Sequence, residues 1–394
     1  MYAVFDANNF YVSCERVVNP KLRGIPVVVA NPGGIVLARS NEAKELGIGM
    51  AAPLFKIQEE IKQFGIHVAS TRFSLYTDLS TRIATILHEL FPKVEEYSID
   101  ESFVFLPDNT PIAELEAQCV KARERIQSWT GVPVSVGIST TKTLAKVAVK
   151  LAKKSVSGVM SIAADTFREE VLRTFPIGDL WGIGRALSAK LPAYGINTAL
   201  ELSQQDPIEM RRKFSVVLGY TIQELKGVSC FTVETAPKPA KSLMCTESYH
   251  EAIGESEVLL ERLRALSVRA GVQLCKQREV AGGMGVFVRG DRFHKERGFL
   301  ALQEMTTFAP PTANTPTLTT FVEDSLVKLF APGALIKRAG VFLFDLMPEA
   351  HRQYGLFENP DQQKIEKDDR AMKAIDSIER KWRQKKRTFL EIKV

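Results

Sequence analysis

An α+β chain of several domains is what this sequence predicts, and three observations carry that prediction. Its 394 residues are too many for one ordinary core, and at about 150 residues per domain they make two to three units. Strand-like and helix-like periods alternate as far as residue 165, after which the texture turns helical. Beyond a proline-bearing stretch at 232–242, TVETAPKPAKS, the order becomes strand, helix, two strands, helix, strand. With 45% hydrophobic and 25% charged residues, the composition is that of a globular protein. No apolar run nears the about 20 residues that span a bilayer, and no basic-then-apolar leader opens the chain, so it reads as cytoplasmic with no membrane partner. The five cysteines form no C-x-x-C pair, which argues against a disulfide frame or a zinc site. A net charge of +6 suits a polyanionic partner without demanding one.

In order along the chain, residues 1–6 read as a strand ending on Asp6, and 8–18 as a helix capped by Asn8 or Asn9. A short apolar strand at 26–30 closes on the turn Asn31-Pro32-Gly33-Gly34, and the apolar run resumes at 35–38. Ser40 caps a helix over 41–46 that Gly47 stops, and a helix at 54–63 and a strand at 66–69 complete a small unit. From 74 to 90, Leu75, Leu79, Ile83, Ile86 or Leu87, and Leu90 recur at the spacing of one helix face. Residues 94–106, VEEYSIDESFVFL, alternate Tyr97, Ile99, Phe103 and Phe105 around the adjacent acids Asp100 and Glu101. Successive strand residues point to opposite faces, so both acids serve one site only if the chain turns between them, making 98–102 the end of a hairpin. A helix at 111–129, a strand at 132–138, a basic helix at 142–154 and a strand at 158–162 follow. Leu180-Trp181-Gly182-Ile183-Gly184, a helix over 185–191 and a turn at Gly195 suggest two short helices joined by a glycine hairpin. Past the linker, strands at 243–250, 280–289, 298–307 and 339–346 and helices at 255–275 and 319–329 describe a two-layer domain. The polar stretch 348–394 ends with seven Lys or Arg between Glu379 and Val394, interleaved with Trp382 and Phe389.

Asp6, Asp100 and Glu101 sit at the tips of strand-like runs with no His or Cys beside them. Oxygen-only donors suit hard cations such as magnesium, and paired metals clamp the attacking and leaving oxygens of a displacement at phosphorus. The acids therefore point to phosphoryl or nucleotidyl transfer; a surface hairpin capped by an Asp-Glu pair is the plainer alternative. No G-x-x-x-x-G-K-[ST] or H-E-x-x-H occurs, and Gly182-Ile183-Gly184 lacks a third glycine because Leu187 stands there. Phosphates would then fall to side chains, with Arg39, Lys44, Lys142, Lys146, Lys150, Lys153 and Lys154 as candidates. Lys142, Lys146, Lys150 and Lys153 share one helix face opposite Leu144, Val147, Ala148 and Leu151, a stripe that suits solvent and phosphate alike.

These motifs resemble those of the Y-family translesion DNA polymerases, most closely the UmuC-like group, over residues 1–357. FDANNFYVSCE resembles the first acid motif, ARSNEAKELGIGM the fingers motif, YSIDESF the second acid motif, VGISTTKTLAKVAVKLAKK the phosphate-binding helix, and DLWGIGRALSAKL a helix-hairpin-helix. The resemblance implies a right-hand polymerase: palm at 1–22 and 75–165, small fingers at 23–74, helix-hairpin-helix thumb at 166–231, linker at 232–242, βαββαβ little finger at 243–347, and a tail at 348–394. Asp6, Asp100, Glu101 and the Ala7 carbonyl would hold two Mg2+ ions, and Tyr11 would be the steric gate against ribonucleotides. Phe10 with its neighbouring amides, Ser40, Asn41, Lys44 and Lys153 would meet the nucleotide, while Lys142, Lys146, Gly182, Gly184 and Arg185 would meet DNA. Gln353, Leu356 and Phe357 of QYGLF resemble a sliding-clamp peptide. Implied partners are primer-template DNA, dNTP, the sliding clamp, a UmuD-type dimer and a RecA-type filament, and the implied role is low-fidelity synthesis past lesions in the SOS response. A DinB-like single-chain polymerase and a non-catalytic repair factor are the alternatives. Asn31-Pro32-Gly33-Gly34 departs from the Asn-Asn-Asp-Gly usual in the UmuC-like group, and the tail is shorter than the group's.

Overall fold

A computed structural model describes residues 1–107, 109–236, 239–290, 301–331 and 333–352, and the chain divides into two units, Met1–Pro237 and Lys238–Val394. The first unit runs β1 (Tyr2–Ala7), α1 (Phe10–Val18), β2 (Val27–Ala30), β3 (Val36–Arg39), α2 (Asn41–Glu45), α3 (Gln58–Gln63), β4 (His67–Ser70), α4 (Phe73–Leu90), β5 (Val94–Glu96), β6 (Glu101–Phe105), α5 (Ile112–Thr130), β7 (Val134–Ser139), α6 (Lys142–Ala152) and β8 (Val159–Ser161). Five of its strands form one sheet in the order β5-β6-β1-β7-β8, with β1 central and antiparallel to both β6 and β7. All six residues of β1 are buried, because both faces of the sheet are covered. Ala3 and Phe5 join the core that includes Leu79, Ile83, Leu87, Leu115 and Cys119 of α4 and α5, while Tyr2 and Val4 pack with Phe103, Ala145 and Val149 on the α6 side. Period-two alternation therefore sends Asp6 and Glu101 to the α6 face.

A second sheet, β3-β2-β4, packs on α2 and α3 around Val28, Val36, Ala43 and Ile57. Helices α7 (Asp165–Thr174), α8 (Arg185–Lys190), α9 (Ala199–Ser203), α10 (Pro207–Lys213) and α11 (Val216–Leu225) enclose a core of their own with Leu144, Val147 and Ala148 of α6. The expected helix pair at the glycine hairpin is a 3-10 turn, Ile177–Asp179, followed by α8. The start of the expected linker is tied down: Glu234 N–H donates to Glu95 Oε2 at 2.7 Å, and Val233 packs against the α6-side cluster.

In the second unit, β9 (Ser242–Ile253), α12 (Ser256–Gln277), β10 (Glu279–Gly290), β11 (Ala301–Thr312), α13 (Thr315–Leu329) and β12 (Ile336–Pro348) give the expected βαββαβ order, with an antiparallel sheet β11-β10-β12-β9. Strand β11 runs on through Pro310 and Pro311, beyond the expected end, which an edge strand tolerates. Helix α13 starts earlier than its apolar period does, because Asn314 accepts from Thr317 N–H and a proline occupies the first turn.

Candidate active site

The end of β1 and the β5–β6 hairpin build the site. Asp6 and Glu101 are direct partners across the β1–β6 ladder, and Ala7 N–H donates to the Asp100 carbonyl at 2.8 Å, which ties the hairpin to β1. Tyr97 N–H and Ser98 N–H both donate to the Glu101 carbonyl, at 3.1 and 3.0 Å. Ser98 Oγ donates to Asp100 Oδ1 at 2.6 Å and accepts from Glu101 N–H at 3.1 Å. The turn between the two acids is thus present, and the serine in YSIDE is its brace.

Helix α6 faces the acids with lysines. Lys153 Nζ stands 2.8 Å from Asp6 Oδ2, and Lys146 Nζ donates to Glu101 Oε2. Burial pushes the Asp6 carboxyl up to about 6; the Lys153 ammonium pulls it back and the Glu101 carboxylate adds to the rise. Among the described residues no three His, Cys, Asp or Glu side chains already converge as a metal-holding group. The donor chemistry of Asp6, Asp100 and Glu101 nonetheless fits magnesium, since a dication would offset the carboxylate burial that the lysines offset only in part.

The lysine stripe does not act as a unit. Lys142, expected to meet DNA, is buried and pairs with Glu95 Oε2 at 2.5 Å, so it presents no ammonium to a phosphate. Lys150 Nζ instead donates to the Asp179 carbonyl at 2.6 Å. Two other expected ligands are also engaged. The buried Ser40 hydroxyl accepts from Val27 N–H at 3.0 Å and Ala43 N–H at 3.2 Å, so it caps α2 as expected and its acceptor is occupied by backbone. The Phe10 side chain is core, which leaves only its backbone for a ligand.

Asn9, one of the two expected caps, is the N-cap of α1, with a left-handed backbone at φ 48° and no side-chain cap bond. Its side chain reaches α2: Lys44 Nζ donates to Asn9 Oδ1 at 2.5 Å and Asn9 Nδ2 donates to Asn41 Oδ1 at 2.9 Å. Burial, and then the charges of Lys153 and Arg39, push the Lys44 ammonium below its usual range, while the Asp6 charge works the other way. Tyr11 stacks on Tyr76 with ring centres 4.4 Å apart and planes at 14°, and the Tyr76 hydroxyl donates to the buried Glu15 at 2.7 Å, where Arg72 also binds. Desolvation, then the Asp100 charge, raises the Tyr11 hydroxyl. Sequence reasoning missed Tyr76, Glu15 and Glu95, whose partners lie 47 to 61 residues away. Gly182 has φ +86°, Gly184 precedes α8, and Arg185 opens it. Gln353, Leu356 and Phe357 lie outside the described residues.

The model described as the impB/mucB/samB family matches residues 5–150, and that family's C-terminal domain matches residues 240–356. Protein ImpB of Salmonella typhimurium is 35% identical over 384 residues, 96% of this chain and 90% of that protein. The chain belongs to the impB/mucB/samB family. Protein UmuC of Salmonella typhimurium is 34% identical over 363 residues, 91% of this chain and 86% of that protein, in keeping with the UmuC-like, Y-family motifs. A Y-family DNA polymerase chimera superposes with a TM-score of 0.72 at 21% identity, covering 88% of this chain and all of that one, so the fold is the α+β right hand of those polymerases. No helix among the described residues is long and apolar enough to cross a membrane.

Proposed function

We propose that this chain is a template-directed, low-fidelity DNA polymerase that transfers nucleotides from dNTP to a primer 3′-hydroxyl opposite damaged template, in the bacterial SOS response. The observation that carries the reading is the pairing of Asp6 with Glu101 across the ladder, with Asp100 tied to Ala7 and a cluster of ammonium groups alongside. Asp6, Asp100, Glu101 and the Ala7 carbonyl would hold two Mg2+ ions, which when bound neutralise the phosphates and the incoming oxygen. Lys44 and Lys153 hold the triphosphate, Asn41 orients Lys44 through Asn9, and the Phe10 amide completes the anion cradle. Tyr11 fills the space a ribose 2′-hydroxyl needs, and its stacking on Tyr76 keeps it there. Gly182, Gly184 and Arg185 grip duplex phosphates without reading sequence. On this reading 1–22 and 75–165 are the palm, 23–74 the fingers, 166–231 the thumb, 232–242 the linker, 243–347 the little finger and 348–394 the tail, where Gln353, Leu356 and Phe357 would seat on a sliding clamp. A UmuD-type dimer and a RecA-type filament are the proposed activating partners, and extension with and without them separates this reading from a self-sufficient DinB-like one.

Asp100→Ala should abolish magnesium-dependent primer extension, a loss of at least about a thousand-fold, with primer-template affinity nearly intact. Undiminished extension by the variant overturns the assignment.

A further inference from the structure

Lys146 is held on three sides by aromatic rings. Its Nζ lies 4.8 Å from the ring centre of Tyr97, 5.7 Å from that of Phe103 and 5.8 Å from that of Trp181, while it donates to Glu101. The three rings come from different parts of the chain: the acid hairpin, β6, and the residue before the Gly182 turn. Trp181 joins them, because its Nε1–H donates to the Tyr97 hydroxyl at 3.1 Å and its ring meets Phe103 at 5.7 Å and Phe231 at 5.5 Å. An ammonium between a carboxylate and ring faces is attracted by both, and a lysine stem so enclosed keeps few rotamers.

We propose that Trp181 is a positioning residue: it holds the Lys146 ammonium, and through it the Glu101 carboxylate, so that the glycine turn at 182–184 and the acid hairpin form one rigid body. The catalytic consequence rests on the polymerase reading; the cage itself does not. If the turn grips the primer backbone and Glu101 acts at the primer terminus, Trp181 is the contact that fixes one against the other.

The test uses the full chain with Trp181→Leu, Trp181→Phe, Tyr97→Phe and Lys146→Met. The first readout is the rate at which an amine-reactive succinimidyl ester labels Lys146, followed by mass spectrometry. It should rise several-fold in Trp181→Leu and less in Trp181→Phe and Tyr97→Phe, which keep a ring in place and keep the test decisive if the leucine variant does not fold. Unchanged labelling in all three overturns the cage. The second readout is primer extension. Trp181→Leu should lower kcat by about ten-fold, between the worth of an exposed and of a desolvated cation–π contact, with KM for dNTP and primer-template affinity unchanged. In the Lys146→Met background Trp181→Leu should cost nothing more, since it acts through that lysine. Additive losses, or a loss confined to DNA affinity, overturn the proposal. A wild-type chain that fails to extend any primer, both alone and with a UmuD-type dimer and a RecA-type filament, overturns the polymerase reading alone, and the labelling still decides the cage.

Discussion

Asp6 belongs to a strand covered on both faces, and its carboxyl stands at about 6 because burial outweighs the pull of Lys153. In the unfolded chain the same group has its ordinary value of 3.8. As pH rises from about 4 to about 6 the unfolded chain releases this proton while the folded chain keeps it, so stability falls across that window and stays lower above it. The two values differ by enough to cost about 3 kcal/mol at neutral pH. Asp6→Asn should therefore stabilise the metal-free protein at pH 7.5 by up to about 3 kcal/mol, add nothing at pH 4, and end primer extension. Denaturant midpoints of the two proteins at both pH values check this. A variant less stable than the native chain at pH 7.5 would show that the Lys153 pair, and not burial, governs the site. Lys153 is partly exposed and keeps water after the substitution, which is why its loss of a partner should cost little.

At the scale of the element, helix α6 does two jobs: its apolar side covers the sheet and its lysines reach Glu95, Glu101, Asp179 and Asp6. The close packing has one requirement, at Gly137 of β7. A Cβ there would lie 2.2 Å from Val149 N and 2.3 Å from the Ala145 carbonyl, both backbone atoms of α6. Gly137→Ala must push the helix away, which overpacking places at about 1–3 kcal/mol or more, and should cut extension further by drawing Lys146 and Lys153 off the acids. Gly49→Ala, with nothing within 4 Å, is the control, expected to leave both stability and activity unchanged. Thermal unfolding with extension assays measures both effects, and equal behaviour of the two variants refutes the close-approach account. The same element shows what was legible in the sequence. The helix, its apolar face, the hairpin turn between Asp100 and Glu101, and the βαββαβ order all follow from local period and turn chemistry. The destination of each lysine does not, because Lys142 looks like its three neighbours on the stripe and only tertiary packing puts Glu95 against it. The Ser40 cap on α2 is local and legible, whereas its second donor, Val27 N–H, comes from the fold. Strand β11 ran past its expected end because edge position, which permits proline, is a property of the sheet and not of the segment.

For the whole molecule, what matters is that each unit closes its own core. In the second, Leu259, Leu263 and Leu274 of α12 and Leu318 and Val322 of α13 bury against Met284, Val286, Val341 and Leu343 of the sheet. A self-contained core of this kind is what lets a domain fold alone. Residues 238–394 expressed by themselves should therefore unfold cooperatively on heating, and a broad, non-cooperative melt would sink that expectation. The acid hairpin, α6 and the glycine turn at 182–184 all lie in the first unit. If the proposed chemistry is correct, residues 1–237 should still extend a primer, but they would hold DNA through one module where the intact chain has two. Linked modules gain affinity through effective concentration, so the fragment should bind primer-template at least about ten-fold more weakly while its single-turnover rate at saturating DNA stays within a few-fold of the intact chain. Loss of the saturated rate, with binding unchanged, would instead mean that the second unit contributes to the chemical step and that the catalytic site is not complete in residues 1–237.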